Sequence, residues 1–256
     1  MADLLEIDAL SLYFGEPYPI TDRLTVTQPT IGQIIQYGEK EYFSMIHTIT
    51  AIPSDMKSQL WDMGLDWNQV SDFELFMILC QTLPVERTEI VLGDIDLSRL
   101  RPYQHPQNPD MVILADVDNG VVIDEFVYLR IVNYLRTLHN LKPKVEHSMN
   151  EFTKKFMIEE DRQKIAANAQ KTYESFLLPL ISSVKVRQGY SLDYIKNEFL
   201  YEFFDDINRL QIIHSADALL QGCYAGNIDM SKVNKKELDW MRPTSSATTT
   251  KPQITL

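Results

Sequence analysis

The sequence predicts a mainly α-helical, multi-helix globular protein with a small antiparallel β element, a hairpin around residues 111–123. In several segments apolar residues recur at the 3.6-residue period of an amphipathic helix, each after a Ser, Thr or Asp that suits a helix N-cap. One region instead alternates in hydrophobicity around an Asn-Gly pair, which is typical of a hairpin. With 256 residues, 45% of them hydrophobic, the chain is long enough to bury a sizeable core.

Changes in composition divide the chain into four segments. Residues 1–23 carry aromatic and proline residues without a clean period, which suggests an N-terminal arm on the surface. Residues 24–141 are predicted to form a helical region with the small β element, and residues 142–242 a helical C-terminal region. Residues 243–256 are rich in Ser and Thr and have little to bury, so we expect a disordered tail.

The second segment begins with a short strand and two helices. The stretch 24–28 alternates like a strand, and Thr30 then suits the N-cap of a helix. A second helix follows the break at Pro53 and ends at Gly64, a residue type favoured after helix ends. One continuous face of the first helix is expected to hold Ile31, Ile34, Ile35, Tyr42, Met45, Ile46 and Ile49.

A third helix precedes the predicted β element. Ser71 and Glu74 have the spacing of a capping box at its start, and it ends near Pro84. Residues 85–123 are then interpreted as β structure, beginning with a strand over 89–92.

The predicted hairpin closes this region. Its strands are 111–115 and 121–123, and the Asn119-Gly120 pair between them suits a type I′ turn.

The C-terminal half has helix signals almost throughout. Asp124 suits the N-cap of one helix, and further helices are expected from Glu151, through the apolar run 176–181, and after Ser191. The last of these is predicted to be continuous, with a buried face made of Ile195, Phe199, Phe203, Ile207 and Leu210.

The charge balance limits the partners. A net charge of −12 repels nucleic-acid phosphates and anionic lipid, so neither nucleic acid nor membrane is an expected partner.

The start has no basic stretch before an apolar core, and no run of about 18 apolar residues occurs, so we expect neither export nor membrane spanning. Residues 142–187 hold 9 basic and 6 acidic residues, and this basic middle leaves two alternatives open, self-association or a charge match within the chain. Cys80 and Cys223 lie in apolar stretches, as buried thiols do.

A search for catalytic, cofactor-binding and metal-binding patterns finds no candidate residue. The five histidines lack the spacing of metal ligands, and the nine glycines are scattered singly rather than forming a phosphate-binding loop. Residues 116–120 resemble the opening of a calcium loop, but Val127 stands where the chelating acid is needed. The run Glu159-Glu160-Asp161 is interpreted as a solvated helix face, because adjacent residues on a helix point apart. The sequence therefore favours a protein that is not an enzyme.

Two other features have competing interpretations. The aromatic run 201–204 suits either a binding groove or the core, and its helical spacing favours the core. Lys154, Lys155 and Lys164 suit either an acidic partner or ion pairs on the helix surface, and their acidic neighbours favour ion pairs.

Three stretches together resemble a known family. They are Gln28-Pro-Thr-Ile-Gly-Gln-Ile-Ile with Tyr42-Phe43-Ser44, then Phe156-Met-Ile-Glu-Glu-Asp-Arg162, and then the stretch from Leu220 to Asp229 that closes on Lys235-Lys236-Glu-Leu-Asp239-Trp240-Met241. In this order they resemble the tail assembly chaperones encoded beside the tape-measure gene in long-tailed phages of Gram-positive hosts. The similarity spans roughly residues 24–242.

The resemblance implies a function in phage tail assembly. It implies a mainly helical protein of the host bacterial cytoplasm, absent from the finished virion, that coats the tape-measure protein and helps to recruit tail tube subunits. It also implies that a longer, frameshifted form is often made beside the short one. A compatible mechanism is a helical face that takes up the apolar stripe of a long client helix.

Two alternatives and one contact prediction remain. The protein is alternatively a structural component of the phage particle, such as a connector, tail or baseplate protein located in the virion. The other alternative is an enzyme whose site has no recognisable motif. For client binding the sequence predicts contacts from Leu238, Trp240 and Met241, and the competing interpretation is that Trp240 docks the last helix on the core.

Overall fold

The computed structural model describes residues 7–106 and 108–244. Within them the chain forms eleven α-helices, a two-stranded sheet and a three-stranded sheet, both antiparallel. The prediction of a mainly helical, multi-helix fold with a small antiparallel β element is therefore confirmed. The predicted disordered tail, from residue 245 onward, lies outside the described residues.

The elements follow one another in chain order with short connections. The helices are α1 Ala9–Tyr13, α2 Ile31–Tyr37, α3 Glu39–Thr50, α4 Lys57–Asp62, α5 Asp72–Leu79, α6 Val85–Leu92, α7 Glu125–Leu138, α8 Glu151–Ala169, α9 Leu177–Gln188, α10 Leu192–Asn197 and α11 Leu200–Tyr224. The strands are β1 Tyr18–Pro19, β2 Thr25–Val26, β3 Arg101–His105, β4 Asn108–Asp116 and β5 Val121–Ile123.

The described part of the predicted N-terminal arm is folded against the core. Leu12 of α1 and Ile20, directly after β1, belong to the main hydrophobic cluster, and β1 pairs with β2. The guanidinium group of Arg130 on α7 donates hydrogen bonds to the carbonyls of Pro19 and Ile20 and lies over the ring of Tyr18. These contacts attach the start of the chain to a helix more than 100 residues away.

The predicted first helix is in fact two helices. It breaks at Gly38, whose φ of 106° lies in a region that residues with a Cβ rarely adopt. Thr30 caps α2 through a capping box with Gln33, while α3 begins directly after the glycine. The buried face predicted for this stretch is largely confirmed, since Ile31, Ile34, Tyr42, Met45, Ile46 and Ile49 are buried and Ile35 is exposed.

The prediction of a strand over 89–92 is wrong, because Val85–Leu92 forms helix α6. Thr88, Val91 and Leu92 are its buried residues, and their spacing of three and four places them on one helical face. Gly93, with φ of 62°, ends the helix. A short apolar run is compatible with a strand or with a buried helix, and here the burial of one helical face favours the helix.

The predicted hairpin is confirmed, but its turn differs and its sheet has a third strand. β4 pairs with β5, and β3, which the sequence analysis missed, pairs with the other edge of β4. Asp116 and Val121 are paired, so the connection has four residues, and only Gly120 of the Asn-Gly pair has a positive φ. A type I′ turn requires a positive φ at both of its central residues. The Asp116 carboxylate instead accepts hydrogen bonds from the backbone and side-chain amides of Asn119 and closes the longer loop.

The predicted continuous helix after Ser191 is also two helices. Ser191 caps α10 as expected, but Glu198 and Phe199 are extended and separate it from α11. A tertiary contact explains the break between the two helices, because this extended step forms a β-bridge with Thr30 at the start of α2. Ile195 and Phe203 are nevertheless buried, with Ile207 and Leu210 packed at the edge of the core.

Helix α8 is attached largely by polar contacts. The Asp161 carboxylate accepts hydrogen bonds from the backbone amide and the hydroxyl of Ser58 on α4, so it is not part of a solvated face as predicted. Glu159 and Glu160 are exposed, in agreement with that prediction. Lys154 pairs with Asp66 and Glu151, and Lys164 pairs with Glu160, which confirms the ion pairs predicted for these two lysines.

A buried histidine lies between α3 and α7. The hydroxyl of Tyr42 is 2.8 Å from Nε2 of His139, and Nδ1 of His139 is 2.7 Å from the carbonyl of Leu135. Burial lowers the pKa of His139 from 6.5 to about 4, and the hydrogen bond to Leu135 acts weakly in the opposite direction. The imidazole is therefore neutral in the folded protein at physiological pH.

We predict that His139 makes the folded protein less stable in mild acid. Between about pH 6.5 and 4 the unfolded chain binds a proton at this residue that the folded protein does not bind. Its contribution is fully present above pH 6.5 and is lost as the pH falls, by about 2 kcal/mol at pH 5. The unfolding free energy of the wild-type protein should therefore decrease more between pH 7.5 and 5 than that of His139→Gln.

Denaturant titrations at the two pH values measure this difference. His47→Gln is the matched control, because it removes an exposed histidine from α3. Parallel pH profiles for the wild-type protein and His139→Gln would contradict the prediction.

Candidate protein-binding groove

A groove of about 850 Å³ lies between α9 and α11. Its volume is in the upper range of protein binding pockets, roughly 300–1,000 Å³. Apolar side chains line it from both helices, and hydroxyl, amide and cationic groups surround them. The lining residues are Leu180, Ser182, Ser183, Val184, Val186, Arg187, Ile207, Leu210, Gln211, Ile212, His214, Ser215 and Arg242.

Helix α9 is positioned by a carboxylate from the N-terminal half of the chain. Glu39, the first residue of α3, accepts hydrogen bonds from the backbone amides of Phe176 at 2.6 Å and Leu177 at 2.8 Å. Its other oxygen accepts one from the hydroxyl of Ser175 at 2.6 Å. The first amides of a helix have no partner within the helix, and its N-terminus favours negative charge. Glu39 therefore acts as a remote cap for α9.

Helix α11 is positioned by the stretch just before α2. The buried side chain of Gln28 donates to the carbonyl of Leu12 and accepts from the backbone amide of Tyr201. The carbonyl of Pro29 accepts from the amide of Leu200, and the amide of Ile31 donates to the carbonyl of Glu198. Both helices that form the groove are thus held by residues near the start of the chain.

The surface of α9 is apolar on more than one side. Leu177 and Val184 are buried, whereas Leu178 and Val186 are exposed. A helix that packs only on the core normally has a single apolar stripe. Of the two exposed residues, Val186 lines the groove, as expected of a surface that contacts another molecule.

Positive charge flanks the groove. A guanidinium nitrogen of Arg187 lies 3.0 Å from Nδ1 of His214, and Arg242 enters the lining from the C-terminal segment. No described carboxylate forms a salt bridge with either arginine. An acidic protein therefore presents cationic groups at this place.

The predicted contact residues Leu238, Trp240 and Met241 lie in a segment next to the groove. Arg209 on α11 donates 2.8 Å hydrogen bonds to the carbonyls of Trp240 and Arg242, and Arg242 lines the groove. Leu238 is half-buried, while Trp240 is 54% exposed and Met241 is 69% exposed. Trp240 is thus available to a partner and is not enclosed in the core.

The groove was not predicted from the sequence. Ile207 and Leu210 were predicted to lie on the core face of one long helix, whereas both also line the groove. One signal for the groove was available in the sequence, the apolar run 176–181. Apolar residues there and further along α9 lie on more of the helix surface than the core covers. In the aromatic run 201–204, Phe203 is buried as predicted, while Tyr201 and Phe204 line a second, smaller cavity of about 440 Å³.

Neither a metal centre nor a membrane-spanning helix is found among the described residues. No group of three or more His, Cys, Asp or Glu side chains there has an arrangement that would hold a metal ion. None of the described helices combines the length and apolar character needed to cross a bilayer.

Both cysteines are free; Cys80 is buried as predicted, while Cys223 is half-buried.

The region that contains the groove is similar to a known domain family. Residues 169–245 match the family model described as the YomV second domain. This is a phage-associated family, and the match supports a phage-related role for the protein. It covers less than a third of the chain, begins at the last residue of α8, and includes α9, α10, α11 and the C-terminal segment. No curated protein and no solved structure matches the chain.

We predict that Glu39→Gln destabilises the docking of α9. The substitution removes the negative charge that three donors share, and hydrogen bonds to charged groups contribute about 1.5–3 kcal/mol. The expected result is a decrease of that order in the unfolding free energy, measured by denaturant titration. Glu41→Gln is the control, because Glu41 is an exposed acid in the same first turn of α3. An equal effect of the two substitutions would rule out the capping role.

Proposed function

We propose that the protein is a phage tail assembly chaperone that binds a helix of the tape-measure protein in the α9–α11 groove. The observation that carries the proposal is the location of this groove, which lies within the segment that matches a phage-associated family. The resemblance of the three sequence stretches to tail assembly chaperones supports the same function. In this proposal the protein acts by binding and carries out no catalysis.

The lining of the groove suits an amphipathic client helix. Leu180, Val184, Ile207 and Leu210 offer an apolar floor along two helices, which is the surface used in helix-in-groove recognition. Arg187 and Arg242 at its edges favour a client whose apolar stripe is flanked by Asp or Glu. A tape-measure protein is expected to be a long helix that repeats such a stripe, so several chaperone copies would bind along it.

The C-terminal segment extends the contact surface. Trp240 and Met241 are large, exposed and adjacent to Arg242, so a client seated in the groove would reach them. Aromatic residues are common among the side chains that contribute most to binding. The net charge of −12 would keep a chaperone-coated client soluble and prevent binding to the phage genome.

We predict that Val186→Asp weakens binding of the tape-measure protein by about tenfold or more. Val186 lines the groove and is 82% exposed, so its substitution should place a charge in the contact without unfolding the protein. Val117→Asp is the matched control, because Val117 is 71% exposed in the loop between β4 and β5. The measurement is co-purification after co-expression with the tape-measure protein of the same phage, followed by a binding titration.

Two outcomes would overturn the proposal. One is the absence of any complex between the wild-type chain and that tape-measure protein. The other is mass spectrometry of purified virions that finds the protein in stoichiometric amounts, which would favour the alternative of a structural component of the particle. If the complex forms but both valine variants bind equally well, the groove is not the client surface.

We further predict that Trp240→Ala weakens client binding while the protein remains folded. Its side chain is exposed, whereas its backbone carbonyl, which the substitution retains, makes the contact with Arg209. Trp61→Ala on α4 is the control, because Trp61 is 38% exposed and distant in sequence from the groove. Client affinity that is unchanged in a folded Trp240→Ala protein would remove Trp240 from the contact surface.

A further inference from the structure

A cluster of carboxylates lies at the start of α11, before the stretch of this helix that lines the groove. Glu202 and Asp206 are four residues apart on one face of the helix, and Glu198 lies in the extended step just before it. None of the three lines the groove, whose residues on α11 begin at Ile207.

Glu198 is buried without a partner. The residue is 3% exposed, and neither of its carboxylate oxygens accepts a hydrogen bond within the described residues. Burial, together with the negative charges of Asp206 and Glu202, raises the pKa of Glu198 to about 7. A buried charge that lacks both a hydrogen bond and a counter-ion costs stability.

Three tyrosines border the carboxylates. The rings of Tyr190 and Tyr194 lie 4.6 Å apart, and Tyr13 reaches the cluster from α1, which contacts α11. Burial and then the charges of Asp206 and Glu202 raise the pKa of Tyr13 to about 12. The same carboxylates, with Glu198, act on Tyr190 and Tyr194.

The cluster has no basic counterpart in the described chain. None of its three carboxylates forms a salt bridge with a described Lys or Arg, although ion pairs occur elsewhere, for example on α8. The arrangement is also not that of metal ligands, since no described group of three acids is placed to hold a metal ion. Carboxylates beside aromatic rings instead suit an extended organic cation, which gains from both ion pairing and cation–π contact.

We propose that Glu198, Glu202 and Asp206, with Tyr13, Tyr190 and Tyr194, form an acidic–aromatic site that binds a Lys or Arg side chain of a partner protein. Glu202 and Asp206 are half-buried and contact the incoming cation first, and Glu198 lies behind them. The bound cation supplies the counter-charge that Glu198 lacks. The site does not depend on the proposed chaperone function, because none of its six residues lines the groove.

Isothermal titration with short peptides tests the site. The probe is an acetylated and amidated peptide with two arginines separated by glycines, with lysine and citrulline versions as the other arms. Citrulline keeps the shape of arginine but has no charge. We expect the arginine or the lysine peptide to bind at low ionic strength and the citrulline peptide not to bind. Equal binding of the citrulline peptide, or no binding of either cationic peptide, would overturn the proposal.

A pair of charge-matched variants separates this site from the general acidity of the protein. The variant that combines Glu202→Gln with Asp206→Asn should weaken peptide binding by about tenfold. The control combines Glu89→Gln on α6 with Asp217→Asn near the other end of α11, both exposed, and removes the same charge. A similar loss in both variants would show non-specific attraction and reject the site. Thermal unfolding of each variant verifies that it is folded.

Glu198→Gln provides a readout that does not depend on the peptide. Because the substitution removes an uncompensated buried charge, the free protein should melt about 2–4 °C higher at pH 8. The peptide should at the same time bind more weakly than it does to the wild-type protein. A lower melting temperature at pH 8 would mean that Glu198 already has a stabilising partner and would contradict the proposal.

Discussion

The position of the C-terminal helices depends on one carboxylate. Glu39 begins α3 and also satisfies the free amides at the start of α9, so a single side chain connects two helix N-termini. Gln28 performs a comparable task for α11 through its side-chain amide. These two polar residues hold the first turns of α9 and α11 against the N-terminal half of the chain, and the groove lies between the two helices.

Local signals in the sequence were sufficient for much of the fold. The caps at Thr30, Ser71, Asp124 and Ser191 depend on neighbouring residues alone, and all four are present. Two of the errors arose where distant residues decide. The β-bridge to Thr30 breaks the helix after Ser191, and core packing turns 89–92 into helix. The groove was missed for the same reason, since no local pattern records which apolar residues of α9 remain uncovered.

Charge is distributed unevenly around α11. The groove has Arg187 and Arg242 at its edges, while Glu202 and Asp206 lie near the start of the helix. The overall charge of −12 describes neither place, because it averages over both. In the two proposals, the charge around each surface would limit which partner sequences fit it.

Residues 28–31 begin one of the stretches that resemble the chaperone family. They also form hydrogen bonds with residues 198–201, at the junction of α10 and α11. These segments are separated by about 170 residues of chain. During translation the N-terminal part emerges from the ribosome long before its partner, so α9 and α11 dock last. The groove is thus completed only after its last lining residue, Arg242, has been synthesised, long after the N-terminal core.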